Sequence, residues 1–169
     1  MSLMELLNAR QAEIVGRWRQ LVFESYPEQT AIFLANEKDG FSNPVGYRLS
    51  QGLKSLWAAL VKGTDRKDAE AGLDDILGIK ALQDAAPSRG LAFIFLLKQV
   101  LREELREELA DAGVARELQE FEDVIDGVAL LGFDIFTKRR ERLCEIRVEE
   151  VKKRVSGLMR KAGFDLANL

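Results

Sequence analysis

An all-α fold is what this sequence predicts, and three observations carry the prediction. Apolar residues recur at steps of three, four and seven in the long segments, the spacing of one helix face. No stretch alternates apolar and polar residues as a half-buried strand does. The three prolines, Pro27, Pro44 and Pro87, fall at breaks between those segments and not inside them. At 169 residues, with 47 % hydrophobic and 31 % charged side chains, the chain suits one globular domain with a sizeable core. The expected architecture is a helical bundle whose last helix runs on past that core.

The elements follow in order. Leu6 to Tyr26 reads as a first helix with Leu7, Ile14, Trp18, Leu21 and Val22 on one stripe, and Glu13 and Arg17 form an i,i+4 pair on the other side. Pro27 ends it, and Glu28 to Asn36 is a short helix carrying Ile32 and Phe33. Asp39-Gly40 signals a turn. Asn43-Pro44 is an N-cap followed by a first helical residue, and the helix runs to about Lys62 with Leu49, Leu53, Leu56, Trp57, Leu60 and Val61 inward. Gly46 and Gly52 lie inside it. Each costs up to about 1 kcal/mol against alanine, and close backbone packing is the usual reason to accept that cost.

Gly63-Thr64-Asp65 stops one helix and caps the next, roughly Arg66 to Gln83, with Leu73, Ile76, Leu77 and Leu82 inward. A fifth helix follows Pro87-Ser88, from Arg89 to about Asp111. It opens with seven consecutive apolar residues, Leu91 to Leu97, and is expected to be the buried centre of the core. Val114 to Ala162 contains no proline and ends at Gly163. Its first part carries Phe121, Ile125, Val128, Leu131, Phe133 and Phe136. After Lys138-Arg139-Arg140 its pattern becomes a seam, Cys144, Val148, Val151, Val155 and Leu158, spaced by four and three and flanked by charges. The seam spans about two heptads, fewer than the three to four that define a coiled coil. Residues 1–142 are expected to form the body and 143–169 a helical extension, with Met4 reading as a second start and residues 1–3 as an added leader.

Composition excludes much chemistry. The chain has no histidine and one cysteine, Cys144. Serine–histidine and cysteine–histidine catalysis, the usual zinc sites and a histidine-held haem all lack a necessary group. Helical acidic clusters such as Asp74-Asp75 and Glu120 to Asp126 lack the Glu-x-x-His partner of a di-iron site, so they read as solvated faces. Gly40 to Gly46 lacks the lysine and spacing of a P-loop and reads as a turn and helix start. No cofactor or metal is expected, and the chain is not expected to be an enzyme. A net charge of -3 gives no reason to expect nucleic-acid binding, and the apolar run Leu91 to Leu97 is too short to cross a bilayer. One cysteine points to a reducing, cytoplasmic setting.

Two groups of residues stand out as candidate sites. Trp18, Tyr47, Phe93 and Phe133 could line a pocket between helices, with Arg17, Tyr47 and Arg48 placed to meet an anion. The competing reading is ordinary core, with Arg17 paired to Glu13. Cys144, Val148, Val151, Val155 and Leu158 form a candidate interaction seam, in which Cys144 is expected to be a small buried residue and not a redox sensor.

Two stretches go beyond a generic helical pattern. One runs from Arg17-Trp18 through Tyr26-Pro27 to Phe41-Ser42-Asn43-Pro44-Val45-Gly46-Tyr47 and Leu53. The other is Leu73 to Leu105, with Ile79-Lys80-Ala81-Leu82-Gln83-Asp84, Pro87-Ser88 and Phe93 to Lys98. Together they resemble the N-terminal sensor domain of the stressosome co-antagonist proteins, the RsbR type in its D-paralogue branch, over roughly Met4 to Arg140. The resemblance implies a globin-like helical fold without haem, a homodimer packed through helices, and a role in passing a stress signal to an output domain. No such output domain follows within these 169 residues, and its phosphorylated threonines have no counterparts here. The reading is therefore a non-catalytic homodimeric sensor or adaptor whose terminal helix carries a change to a signalling partner. The alternative is a small-molecule binding module with an internal apolar pocket. In either case, the space that haem occupies in a globin is expected to hold side chains such as Phe93 and Phe133, or a small pocket.

Overall fold

The computed structural model describes residues 1–36, 40–63, 66–83 and 86–162, and among these it holds seven α-helices and one short 3-10 turn. They are α1 (Leu3–Ala9), α2 (Gln11–Glu24), α3 (Glu28–Ala35), α4 (Pro44–Lys62), α5 (Arg66–Gln83), α6 (Pro87–Glu104), the 3-10 turn Glu108–Ala110, and α7 (Ala112–Lys161). No strand occurs among the described residues. The fold class is all-α with a long C-terminal helix, as the sequence predicts. Asp39, Thr64-Asp65 and Gly163, read as turn, cap and stop signals, lie outside the described residues.

Local chemistry accounts for the helix ends. Asn43 caps α4 by accepting from the Gly46 N–H at 2.9 Å, with Pro44 as the first helical residue. The Asn43 amide also donates to the carbonyls of Phe33 and Leu34, at 2.8 and 3.1 Å, so one buried side chain starts α4 and closes α3. Gly63 ends α4 in the left-handed region, with φ of 59°. Asp111 caps α7 by accepting from Gly113 and Val114.

Helix α4 lies along α5, the first half of α7 crosses α5 and α6, and α2 covers α6 with α1 and α3 packed at its ends. The close approach expected of Gly52 is present. A Cβ there would sit 2.5 Å from Ile76 Cγ1, and one on Gly72 would sit 2.9 Å from the Leu56 backbone nitrogen. The two glycines let α4 and α5 meet nearly backbone to backbone. Gly90 plays the same part between α6 and α7, where its missing Cβ leaves room for the fully buried Phe136 ring.

Four expectations are corrected. The first predicted helix is two, α1 and α2, broken at Arg10, which has φ −105° and ψ 21°. No proline or glycine marks that break. The Arg10 guanidinium is drawn to the Glu104 carbonyl and the Glu108 carboxylate. Helix α6 is not buried all round, because Ala92 and Phe95 face outward and Leu96 is half-buried. Leu82, expected inward, points out; α3 buries Leu34 and carries Ile32 and Phe33 on its exposed side. Phe133 is 48 % exposed, so Phe93 and Phe136, but not Phe133, fill the interior.

Candidate functional site

The sequence-predicted pocket residues fall into separate places. Trp18 and Phe93 meet in the core. The Trp18 indole N–H donates to the Phe93 carbonyl at 2.7 Å, and the rings stack at 6.5 Å between centroids. Arg17 bridges from α2 to Glu103 of α6, 3.9 Å away, and not to Glu13. Tyr47 and Arg48 lie exposed on the first turns of α4, where the Tyr47 ring covers Gly40. Gly46 is tight against Asn43 and the Leu34 carbonyl, so this turn leaves no space for a phosphate. Phe133 borders a groove with Phe95 and Leu96 of α6. Of the six, Phe93 lines one cavity and Phe133 a different one.

The seam residues behave consistently. Cys144, Val148, Val151, Val155 and Leu158 are all exposed, as is nearby Ile146. The burial expected of Cys144 is not met within the single chain. The buried residues of α7 end at Phe136, so the rest of the helix has no core of its own to cover it.

The exposed face extends upstream further than the sequence reading placed it. Val124 and Leu130 are 51 % and 73 % exposed, and with Gly127 they line a cleft of about 590 Å³ against Ala59, Leu60 and Ala69. Leu130 stands two heptads before Cys144, and Gly127 three heptads before Val148. One heptad register therefore joins the body to the tail, interrupted by polar residues such as Asp134, Thr137 and Glu141. That register is the signal that reading the apolar stripe alone missed.

Ion pairs hold α7 on the body beside this face. Lys98 meets Asp126 at 2.9 and 3.0 Å. Arg102 grips the buried Glu122 carboxylate through two 2.7 Å bonds, which raise the guanidinium's pKa. Arg139 pairs with Asp74 of α5, and Arg140 donates to the Ala81 carbonyl at 3.0 Å.

A second cavity, of about 460 Å³, opens between the α2–α3 corner and the α5–α6 corner. Its polar lining includes Tyr26, Thr30, Lys80, Gln83 and Arg89, over a floor of Ala92 and Phe93. The Lys80 ammonium sits 4.1 Å from the centre of the Tyr26 ring, and the Tyr26 hydroxyl donates to Gln83 at 2.8 Å. Among the described residues no cluster of carboxylates and thiolates is arranged to hold a metal ion, and no helix is long and apolar enough to cross a membrane.

No curated protein and no solved structure matches the chain significantly. A family match covers residues 12–151, from the start of α2 into the tail of α7. On that match, the chain belongs to the family of the RsbT co-antagonist protein rsbRD N-terminal domain.

Proposed function

We propose that this chain is a non-catalytic sensor domain that works in the cytoplasm as a parallel homodimer, paired along α7 and signalling through its C-terminal half. The family supplies the stressosome-linked signalling role. One observation carries the dimer. Exposed apolar residues of α7 fall in a single heptad register at Gly127 and Leu130 and again from Cys144 to Leu158, with the polar Asp134, Thr137 and Glu141 between the two groups. Gly127 sharpens the point. A Cβ there would touch nothing within 4 Å, so no contact in the chain itself accounts for a mid-helix glycine. A second α7 crossing there would account for it, since a glycine lets two helices approach closely. Residues 1–142 form the body and 143–169 the extension in this reading.

Sedimentation equilibrium tests it. The full chain is expected to be a dimer, and Gly127→Arg to be monomeric with unchanged helical content. A strict monomer for the unaltered chain overturns the proposal. A chain cut after Arg142 is expected to dimerise more weakly, and undiminished affinity would place the whole interface in the body.

A further inference from the structure

We propose that the tail of α7 docks a helix of a different protein, one with an apolar heptad seam and acidic residues along both flanks of that seam. The proposal rests on the sensor reading above and names the class of partner that the C-terminal half contacts.

The heptad register that begins at Gly127 and Leu130 assigns the tail. Val148 and Val155 take a positions, and Cys144, Val151 and Leu158 take d positions. The g positions beside this seam are Arg140, Arg147, Arg154 and Lys161, a cation in every heptad. The e positions on its other side are Lys138, Glu145, Lys152 and Met159. Six of these eight flanking side chains are therefore basic and one is acidic. Residues at e and g choose the partner of a heptad helix, because they meet across the seam.

A second copy of this chain does not satisfy that pattern. In a parallel pair each g residue meets the e residue of the next heptad in the other helix. Arg140 would meet Glu145, which is favourable. Arg147 would meet Lys152, which is repulsive, and Arg154 would meet Met159. Glu141, at an a position, would face its own copy. The tail thus pairs weakly with itself, while Gly127 and Leu130 lie on the far side of the polar layers and keep their own pairing. A helix with acids on both flanks meets six cations and one like charge, in either orientation along the seam.

The cations are available for such a contact. Arg147, Arg154 and Lys161 are exposed and make no ion pair among the described residues. Two of the tail's four acids are engaged inside the helix, Glu145 by Arg142 and Glu149 by Lys152, each at 3.0 Å. The row of g cations is left uncompensated, with its members about 10 Å apart.

Other polyanions fit less well. An interfacial membrane helix carries tryptophan, phenylalanine or leucine on its apolar face. No aromatic residue occurs between Lys138 and Lys161, and the seam is mostly valine. A nucleic-acid backbone offers the exposed valines nothing apolar to cover them. Before Lys138, acids outnumber bases by 23 to 15, so the body repels a long polyanion that runs past the tail.

Fluorescence anisotropy of labelled synthetic helices against the full chain, at physiological ionic strength, tests the proposal. The first probe has three heptads, with valine at a, leucine at d and glutamate at e and g. A second carries lysine at e and g, and a third has the first probe's composition in scrambled order. The glutamate probe is expected to bind saturably with a Kd of about 100 μM or tighter, and the other two at least about tenfold more weakly. The double variant Arg147→Glu with Arg154→Glu is expected to lose affinity for the glutamate probe by about tenfold or more and to gain it for the lysine probe. Both residues are exposed, so the variant is expected to fold, and an unchanged near-ultraviolet signal from the buried Trp18 and Trp57 checks this.

The docking strip is overturned by no saturable binding of the glutamate probe up to about 1 mM. Equal binding of the scrambled or lysine probe overturns it too, as does an unchanged preference in the double variant. Tighter binding of duplex DNA, or of vesicles rich in phosphatidylserine, lost in the same variant, overturns it in favour of a nucleic acid or a membrane surface. A dimer that ignores the glutamate probe removes the strip and leaves the dimer reading standing. A strict monomer that binds the glutamate probe and not the lysine probe does the reverse.

Discussion

Trp18 and Trp57 are both fully buried, yet only one of them makes its hydrogen bond. Trp18 donates to the Phe93 carbonyl, whereas the Trp57 indole nitrogen has no acceptor. Replacing either with phenylalanine removes similar volume, so the difference isolates the bond. Trp18→Phe is expected to destabilise the chain more than Trp57→Phe, by about 1 kcal/mol. Urea melts of the two variants check this, and equal losses would show that the bond adds nothing net. That both tryptophans face inward was legible from spacing. Which one finds an acceptor was not, because Phe93 is 75 residues away in the chain. The same limit explains why Arg17 was paired with its helical neighbour and not with Glu103.

Helix boundaries were most legible where a side chain or a glycine acts within a few residues. Asn43-Pro44 starts α4 and Gly63 ends it, as read. The break at Arg10 carries no such mark; its side chain contacts distant groups on α6 and the 3-10 turn, which no local pattern indicates. Helix α6 was misjudged for a related reason. Seven consecutive apolar residues imply burial on every side, but only one chain supplies the cover, and Phe95 is left outside. The glycines separate two kinds of contact at this level. Gly52→Ala would press a methyl group into Ile76 between tightly packed helices, and a cost of about 1–3 kcal/mol is expected despite the better helix propensity. Gly127→Ala meets nothing within the chain, so at concentrations where it is monomeric it should gain up to about 1 kcal/mol. Thermal melts at low protein concentration give both signs, and a loss at Gly127 would reveal an intramolecular role that the structure does not show.

The molecule as a whole is a packed body with half a helix standing clear of it. Most of the body was legible from composition and period. The face that α7 leaves bare was legible in the tail and not in the body, where Leu130 and Phe133 look like core residues in any one-dimensional reading. The cavity at Lys80 and Arg89 was not legible at all, since its lining comes from residues 25–30 and from both α5 and α6. An uncovered helical segment of some twenty residues is marginal in water, which gives the dimer a measurable signature. Amide hydrogen exchange beyond Arg142 is expected to slow as protein concentration rises, while exchange in α4 and α5 stays constant. Exchange in the tail that ignores concentration would mean that it does not pair with itself.

Helix α7 also has a mechanical consequence. Its 50 residues form one rod of about 75 Å at the usual helical rise, with no proline to bend it. Some twenty residues beyond Arg140 extend roughly 30 Å from the point where Phe136 and Arg140 fasten it to the body. Such a rod is a lever, held against the body over about 45 Å and loose over roughly 30 Å. A tilt of about 10° at the fulcrum would sweep the far end through roughly 5 Å, the pitch of one helical turn. Small adjustments between α5 and α6 would thus reach the tip as a rigid tilt, with no part of the rod needing to unwind.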